Sequence, residues 1–514
     1  MSVIGRHLMR STASNIAGQA VVLGVWFALT PFIVHRLGAA DYGLWALVAS
    51  LVAYGQLLDL GVGGAVTKYV AEERARGDSD KASDLIATSL AIYCVVGLVV
   101  AVVTVPLSVA APEVFNIHAA QETKAHWVIL LTGGALAVQL PATTAYAVLR
   151  ALQRFDLNNL IGAGATLLQA LASVVVLLLG GGVVGLSAVT LPLTIVAQVP
   201  MLVVIRRIAP DLRLDLRRVR RSVVKRVVSF STALFVINGS AVVKGKTDEI
   251  VIASALPISA VSPYSIARRV SDAPALVAYQ FVRVVFPLAS QLHGQGARER
   301  IRALFVASTR LTFALFMPIA VGLMVLAEPF LHAWVGPRFA ADSKIVLILV
   351  GAGIIDIALH APGAVMQATD AHRLLAVFTG ACALLNLALS IALVGPLGVT
   401  GVALGTLIAA AVEAVLVTPL GMWRYGVAAK VLVRDALIPG LAPAIPAAAV
   451  LLLLRELVEP SSLIAVFVVG ALGAIVYMAG YLSFAASVTE RTALWRLAGN
   501  LRQLVRARQA GSAS

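Results

Sequence analysis

The feature that most constrains this chain is a succession of long apolar runs separated by short polar breaks. Each run approaches the roughly 20 residues a helix needs to cross about 30 Å of hydrocarbon. Water cannot be the solvent for such a chain. Of its 514 residues 60% are hydrophobic and only 13% charged, against roughly 25% charged in an ordinary soluble domain. In lipid every backbone N–H and C=O must find a partner within its own segment, and for runs of this length the α-helix supplies it. An all-α integral membrane protein is therefore expected.

Reading runs against breaks gives about fourteen transmembrane helices, near 13–34, 44–66, 85–108, 125–148, 157–179, 183–205, 229–255, 263–287, 303–327, 344–368, 374–394, 399–420, 435–454 and 462–484. The basic residues orient them. With the first residues in the cytoplasm, 29 of the 40 Lys and Arg fall on that face, 5 on the other and 6 within spans. That asymmetry predicts both termini in the cytoplasm and an even number of spans. The net charge of +15 is thus accounted for by short loops, and no nucleic-acid partner is expected. Cys94 and Cys382, the two cysteines, lie in apolar runs far apart and imply neither a disulfide framework nor a thiolate metal site.

A repeat runs through the spans. Gly182-Val-Val-Gly-Leu-Ser-Ala-Val-Thr190 matches Gly398-Val-Thr-Gly-Val-Ala-Leu-Gly-Thr406 at an offset of 216, Arg154 matches Arg373 at 219, and Tyr42 matches Tyr264 at 222. Near-constant offsets predict two six-helix lobes in a parallel repeat, plus two C-terminal helices; chance likeness of Gly-rich apolar turns is the alternative. The expected division is an N-terminal lobe over 1–205, a basic cytoplasmic linker over 206–228, a C-terminal lobe over 229–422, two additional helices over 423–484 and a basic cytoplasmic tail over 485–514. In the linker Leu212, Leu216, Val219 and Val223 follow helical spacing. An amphipathic helix on the anionic leaflet and an ordinary positive-inside loop both fit.

No loop has room for a soluble catalytic or nucleotide-binding domain, and the sequence contains no Gly-rich phosphate loop, zinc-protease motif or nucleophile elbow. No enzyme activity and no cofactor are expected. His35, His332 and His360 read as single and unclustered, so no metal is expected either. The signal lies in charges inside spans, which cost several kcal/mol unless they face a cavity or a partner. Six are basic: Lys244, Lys246, Arg268, Arg269, Arg283 and Arg310. Lys244 with Asp248, and Arg268 with Asp272, are spaced i, i+4 and can neutralise each other. Arg283 and Arg310 have no acid three or four residues away. They are the first candidates for holding an external anion, and a diphosphate suits guanidinium forks best; snorkelling to the interface is the alternative. Asp59, Asp356 and Glu413, each without a basic neighbour in its span, are candidates for ion or proton coupling, against structural hydrogen bonding at helix breaks.

Several stretches together resemble a known family. They are Leu37-Gly-Ala-Ala-Asp-Tyr-Gly-Leu-Trp45, Leu58-Asp-Leu-Gly-Val-Gly-Gly64, Lys68-Tyr-Val-Ala-Glu-Glu-Arg-Ala-Arg-Gly77, Leu149-Arg-Ala-Leu-Gln-Arg-Phe-Asp156, Asp248-Glu-Ile-Val-Ile252 with Tyr264-Ser-Ile-Ala267, and Phe330-Leu-His-Ala-Trp-Val-Gly336. In order and spacing, over roughly residues 10–415, they resemble the bacterial O-antigen and polysaccharide flippases of the multidrug, oligosaccharidyl-lipid and polysaccharide exporter superfamily. The resemblance implies two lobes around a central cavity worked by alternating access. It also implies an inner-membrane location and a substrate of undecaprenyl-diphosphate-linked oligosaccharide moved to the outer leaflet, with the polysaccharide polymerase machinery as a candidate partner. The cationic cavity of such proteins would fall on Arg268, Arg269, Arg283 and Lys246; Asp248 and Glu249 depart from that pattern. An ion-coupled multidrug or cation antiporter of the same superfamily is the second reading. A membrane-embedded polymerase or glycosyltransferase is the third, and the lack of a large extramembrane loop counts against it.

Overall fold

The computed structural model describes residues 3–486 and Arg491, without Leu60, Leu214 and Asp370; side chains are described from residue 22 onward apart from 228–238 and a few single positions. The basic tail expected over 485–514 lies outside the described residues save for its first two and Arg491.

The described chain is helical, in the order α1 (Val3–Gln56), α2 (Val62–Ala75), α3 (Ser79–Val114), α4 (Ala119–Ala151), α5 (Phe155–Leu178), α6 (Gly182–Ile208), α7 (Arg221–Ala255), α8 (Val261–Ser271), α9 (Ala273–Gly294), α10 (Arg298–Val335), α11 (Pro337–Ala340), α12 (Ser343–Ala368), α13 (His372–Tyr425), α14 (Ala429–Leu432), α15 (Ile438–Leu441), α16 (Ala444–Val458) and α17 (Leu463–Gly480). Eleven helical stretches among the described residues are long and apolar enough to cross a membrane. Two of them, Val22–Ala75 and Arg373–Tyr425, run 54 and 53 residues, roughly 80 Å at 1.5 Å per residue and more than twice a bilayer core. Each long stretch contains a glycine with non-helical backbone, Gly38 (φ 72) and Gly398 (φ 59). A side chain at such an angle would strain the backbone, so glycine is what permits the break. Helix α7 carries Lys244, Lys246, Asp248 and Glu249 and is not among the eleven.

Two compact units emerge. The first comprises residues 1–266 and 379–406, the second 267–378 and 407–514. Within the first, α3 and α4 approach closely through small residues. A methyl on Gly97 would lie 2.5 Å from the Ala137 carbonyl oxygen, and one on Gly133 would overlap the Thr104 side chain. Such small-residue seams let helices gain dispersion contact where lipid supplies no hydrophobic push. Below this seam Val66, Ile86, Tyr93, Val148 and Met201 form a buried cluster. The opposite face of α3, with Val95, Leu98, Val102 and Val109, is exposed, as an apolar helix surface is when lipid covers it. In the second unit Val285, Phe305, Val365, Leu432 and Ala436 make a comparable core.

The stretch joining α6 to α7 departs from the amphipathic helix that its spacing allowed. Helix α6 stops at Ile208, and the only helical turn before Arg221 among the described residues is the 3-10 turn Leu216–Arg218. Local polar bonds outcompete the helix here. Asp215 accepts from Arg217 N at 2.9 Å, the N–H groups of Arg213 and Arg220 donate to Ser83 Oγ at 3.0 Å and Thr88 Oγ1 at 3.1 Å, and Leu212 is buried in the unit core. Ion pairs then clamp the segment onto the α2–α3 corner: Arg218 to Asp80 at 2.5 Å and Asp84 at 3.1 Å, Arg220 to Asp84 at 3.4 Å, and Arg74 to Asp211 at 3.5 Å. Ser79 Oγ donates to Asp211 at 2.6 Å and, ahead of Arg74, holds that carboxyl below the usual carboxylate range.

Candidate functional site

The basic residues expected to hold an anion divide between the units. Lys244 and Lys246 sit half-buried on α7 in the first; Arg268, Arg269, Arg283 and Arg310 belong to the second. Arg268 and Arg269 occupy the last turn of α8, and Arg268 Nε lies 3.2 Å from Asp272, the i, i+4 pair read from the sequence. Arg283 stands at the middle of α9, exposed, with no hydrogen bond or ion pair among the described residues. Arg310 Nη1 donates to the main-chain carbonyl of Asp435 at 3.1 Å. That carbonyl lies in a π-helical turn, Val433–Leu437, where the i→i+5 pattern alters which carbonyls are served within the helix.

The acids proposed for coupling have three different surroundings. Asp59 lies at a 3-10 turn, Leu57–Asp59, between α1 and α2. It accepts from the Tyr93 hydroxyl and from Gly63 N–H at 3.2 Å. A carboxylate at the first turn of α2 also meets the positive end of the helix dipole. Asp356 is not isolated: His360, one turn further along α12, places Nε2 3.6 Å from its Oδ2. The i, i+4 spacing was the sequence signal for this pair. Glu413 on α13 is buried, at 4% exposure.

A polar cluster that the sequence reading missed surrounds Asp248, which is fully buried. It accepts from the Tyr264 hydroxyl, from Ser390 Oγ at 3.1 Å and from Thr406 Oγ1 at 3.0 Å. Asn386 Nδ2 donates to Thr406 at 3.1 Å, while Asn386 Oδ1 is buried without a hydrogen-bond partner. The three hydroxyl groups on this carboxylate supply hard oxygens of the kind suited to a proton or a small cation. Thr406 and Tyr264 both belong to the matched repeat positions, so the repeat itself pointed here. Helix α13 brings Asn386, Ser390 and Thr406 to one place by turning back at Gly398.

Membrane-length helices with ionisable groups among them define an all-α multi-pass membrane protein. Solved structures of the same fold agree. The lipid II flippase MurJ in an inward closed conformation superimposes with a TM-score of 0.71 at 14% identity, over 91% of this chain and 98% of that one. An inward-facing multidrug resistance MATE transporter of the MOP superfamily gives 0.70 at 14%, over 79% and 94%. The chain belongs to the polysaccharide biosynthesis protein family, which matches its residues 33–344. Among curated relatives, the succinoglycan biosynthesis transport protein ExoT of Rhizobium meliloti (strain 1021) is 24% identical over 69% of this chain and 68% of its own length. The probable flippase AglR of Haloferax volcanii is 21% identical over 80% and 82%.

Proposed function

We propose that this protein moves an undecaprenyl-diphosphate-linked oligosaccharide from the cytoplasmic to the outer leaflet of a bacterial inner membrane, by alternating access, during polysaccharide biosynthesis. Membership of the polysaccharide biosynthesis family and likeness to transport and flippase proteins support the reaction class. In this reading the two broken helices each cross twice and α7 crosses once, which brings the eleven membrane-length stretches to fourteen passes. Two six-helix lobes followed by two additional helices, with both termini cytoplasmic, complete the arrangement.

Arg283 is the observation that carries the chemistry. It stands near the middle of α9, about 16 Å along the helix from either end. A guanidinium kept there without an acceptor among the described residues suits a diphosphate oxygen pair. Arg268, Arg269 and Arg310 are the proposed supporting cations in the same unit. Asp356 and Glu413 are the candidates for coupling to an ion gradient, while Asp59 takes the structural reading, held by Tyr93 and Gly63 at a helix break.

In the host strain, Arg283→Ala at normal membrane abundance is expected to lower surface polysaccharide about 10- to 100-fold, the equivalent of one charge-assisted hydrogen bond of roughly 1.5–3 kcal/mol. Undiminished display would sink the assignment. The buried acids Asp248 and Glu413 favour the second reading, an ion-coupled drug or cation antiporter. It predicts that Glu413→Gln changes drug sensitivity while Arg283→Ala does not.

A further inference from the structure

Helix α12 carries Asp356 and His360 one turn apart, and their atoms fix a protonation pattern. His360 Nδ1 lies 2.8 Å from the Asp356 main-chain carbonyl. A carbonyl oxygen only accepts, so Nδ1 is the nitrogen that bears hydrogen. In a neutral ring this leaves the lone pair of Nε2 turned toward Asp356 Oδ2, 3.6 Å away. Lone pair against carboxylate is repulsive. One added proton turns the same contact into an attraction and takes the pair from a charge of −1 to zero.

The surroundings make that charge matter. From α9 the Tyr279 ring packs edge-on against His360, with ring centroids 4.6 Å apart. The Tyr279 hydroxyl is within electrostatic reach of Asp356, and also of Asp272 and Arg268 at the α8–α9 junction. Arg283 follows Tyr279 by one turn on the same helix. From α10, Arg310 is directed at the Asp435 carbonyl, Glu328 pairs with Arg455 at 2.7 Å, and His332 lies in the last turn. From α13, Glu413 neighbours Ala414, which packs in the cluster with Leu359 of α12. All these residues belong to the second compact unit.

We infer that Asp356 and His360 form a proton-binding pair whose charge state sets how strongly the neighbouring arginines hold an anion. Unprotonated, the pair adds a negative charge that competes for Arg268 and Arg283. Protonated, it leaves them to a diphosphate. Proton and anion then raise each other's affinity by the same factor, as linkage requires. The inference rests on the proposed diphosphate site for its ligand, but not for the existence of the pair.

The test uses the full chain in detergent and farnesyl diphosphate as the probe, with binding measured at pH 6 and pH 8. The ratio of the two affinities is expected to be about three- to tenfold more favourable to acid in wild type than in His360→Gln or Asp356→Asn, the size expected for one charge at roughly 10 Å in a medium of intermediate dielectric. Equal ratios in all three proteins overturn the proposal. Nitrogen-15 spectra of histidine-labelled protein give a reading that needs no ligand: the signal lost in His360→Gln is His360, and it is expected to shift in Asp356→Asn. A His360 signal identical in wild type and Asp356→Asn at every pH also overturns the pair. Absence of farnesyl diphosphate binding at either pH counts against the diphosphate site alone, and the spectra then decide the pair.

Discussion

The Asn386 side-chain amide donates to the Thr406 hydroxyl at 3.1 Å. Gln169 makes the corresponding bond to Thr190 at 3.4 Å, and both acceptors lie eight residues beyond glycines of left-handed backbone, Gly398 and Gly182. Each threonine also bonds the carbonyl four residues back, Val402 or Leu186. The sequence repeat therefore carries the same local bonds in both copies. They differ in one respect: Thr406 also serves the buried carboxylate of Asp248.

That difference has a measurable cost. Thr406→Val leaves Asp248 a donor short in a buried site and is expected to destabilise by about 1–3 kcal/mol, whereas Thr190→Val loses only neutral hydrogen bonds, about 1 kcal/mol. Thermal unfolding of the two variants in detergent compares them. Equal losses would mean that Asp248 does not depend on Thr406.

Asp59 poses a choice between support and coupling. Its two donors, Tyr93 O–H and Gly63 N–H, are accepted equally well by an asparagine oxygen. Asp59→Asn is expected to keep both stability and transport, while Asp59→Ala and Tyr93→Phe lower the unfolding temperature. A stable Asp59→Asn protein that no longer transports would return this residue to the coupling candidates.

The segment after α6 is clamped by charges, so its docking should depend on salt and acid. Neutralising Asp84, which faces both Arg218 and Arg220, is expected to speed tryptic cleavage within 209–220. Because the Asp211 carboxyl is held low chiefly by Ser79, its contribution is complete at neutral pH and is lost only as pH falls through that lowered range. Ser79→Ala should move the loss to higher pH, read as hydrogen exchange of 209–220 amides after correction for intrinsic rates. Exchange that ignores both variants would refute the clamp.

Much of the fold was legible because one physical demand, satisfying backbone polar groups in lipid, leaves helices as the answer wherever apolar runs are long. The Arg268–Asp272 pair was legible for a similar reason: i, i+4 neighbours on a helix meet regardless of tertiary context. Bonds between distant segments left no such trace. Nothing near Arg310 announces the Asp435 carbonyl 125 residues on, and nothing near Asp248 announces Ser390 or Thr406 except the repeat. Periodicity left helix and loop equally open over 209–220 because it weighs apolar positions and is blind to the polar partners Ser83 and Thr88 on another helix.

The π-helical turn at Val433–Leu437 constrains how Arg310 can evolve or be engineered. Its guanidinium answers a main-chain oxygen, so the requirement comes from backbone shape and persists whatever side chain stands at position 435. A lysine offers a donor of similar length and is expected to be tolerated; a leucine would leave that oxygen unserved in an apolar layer. Substitutions that restore regular α-helical winding across 433–437 should remove this main-chain demand on Arg310 and leave its proposed role toward the anion as the separate constraint on the position.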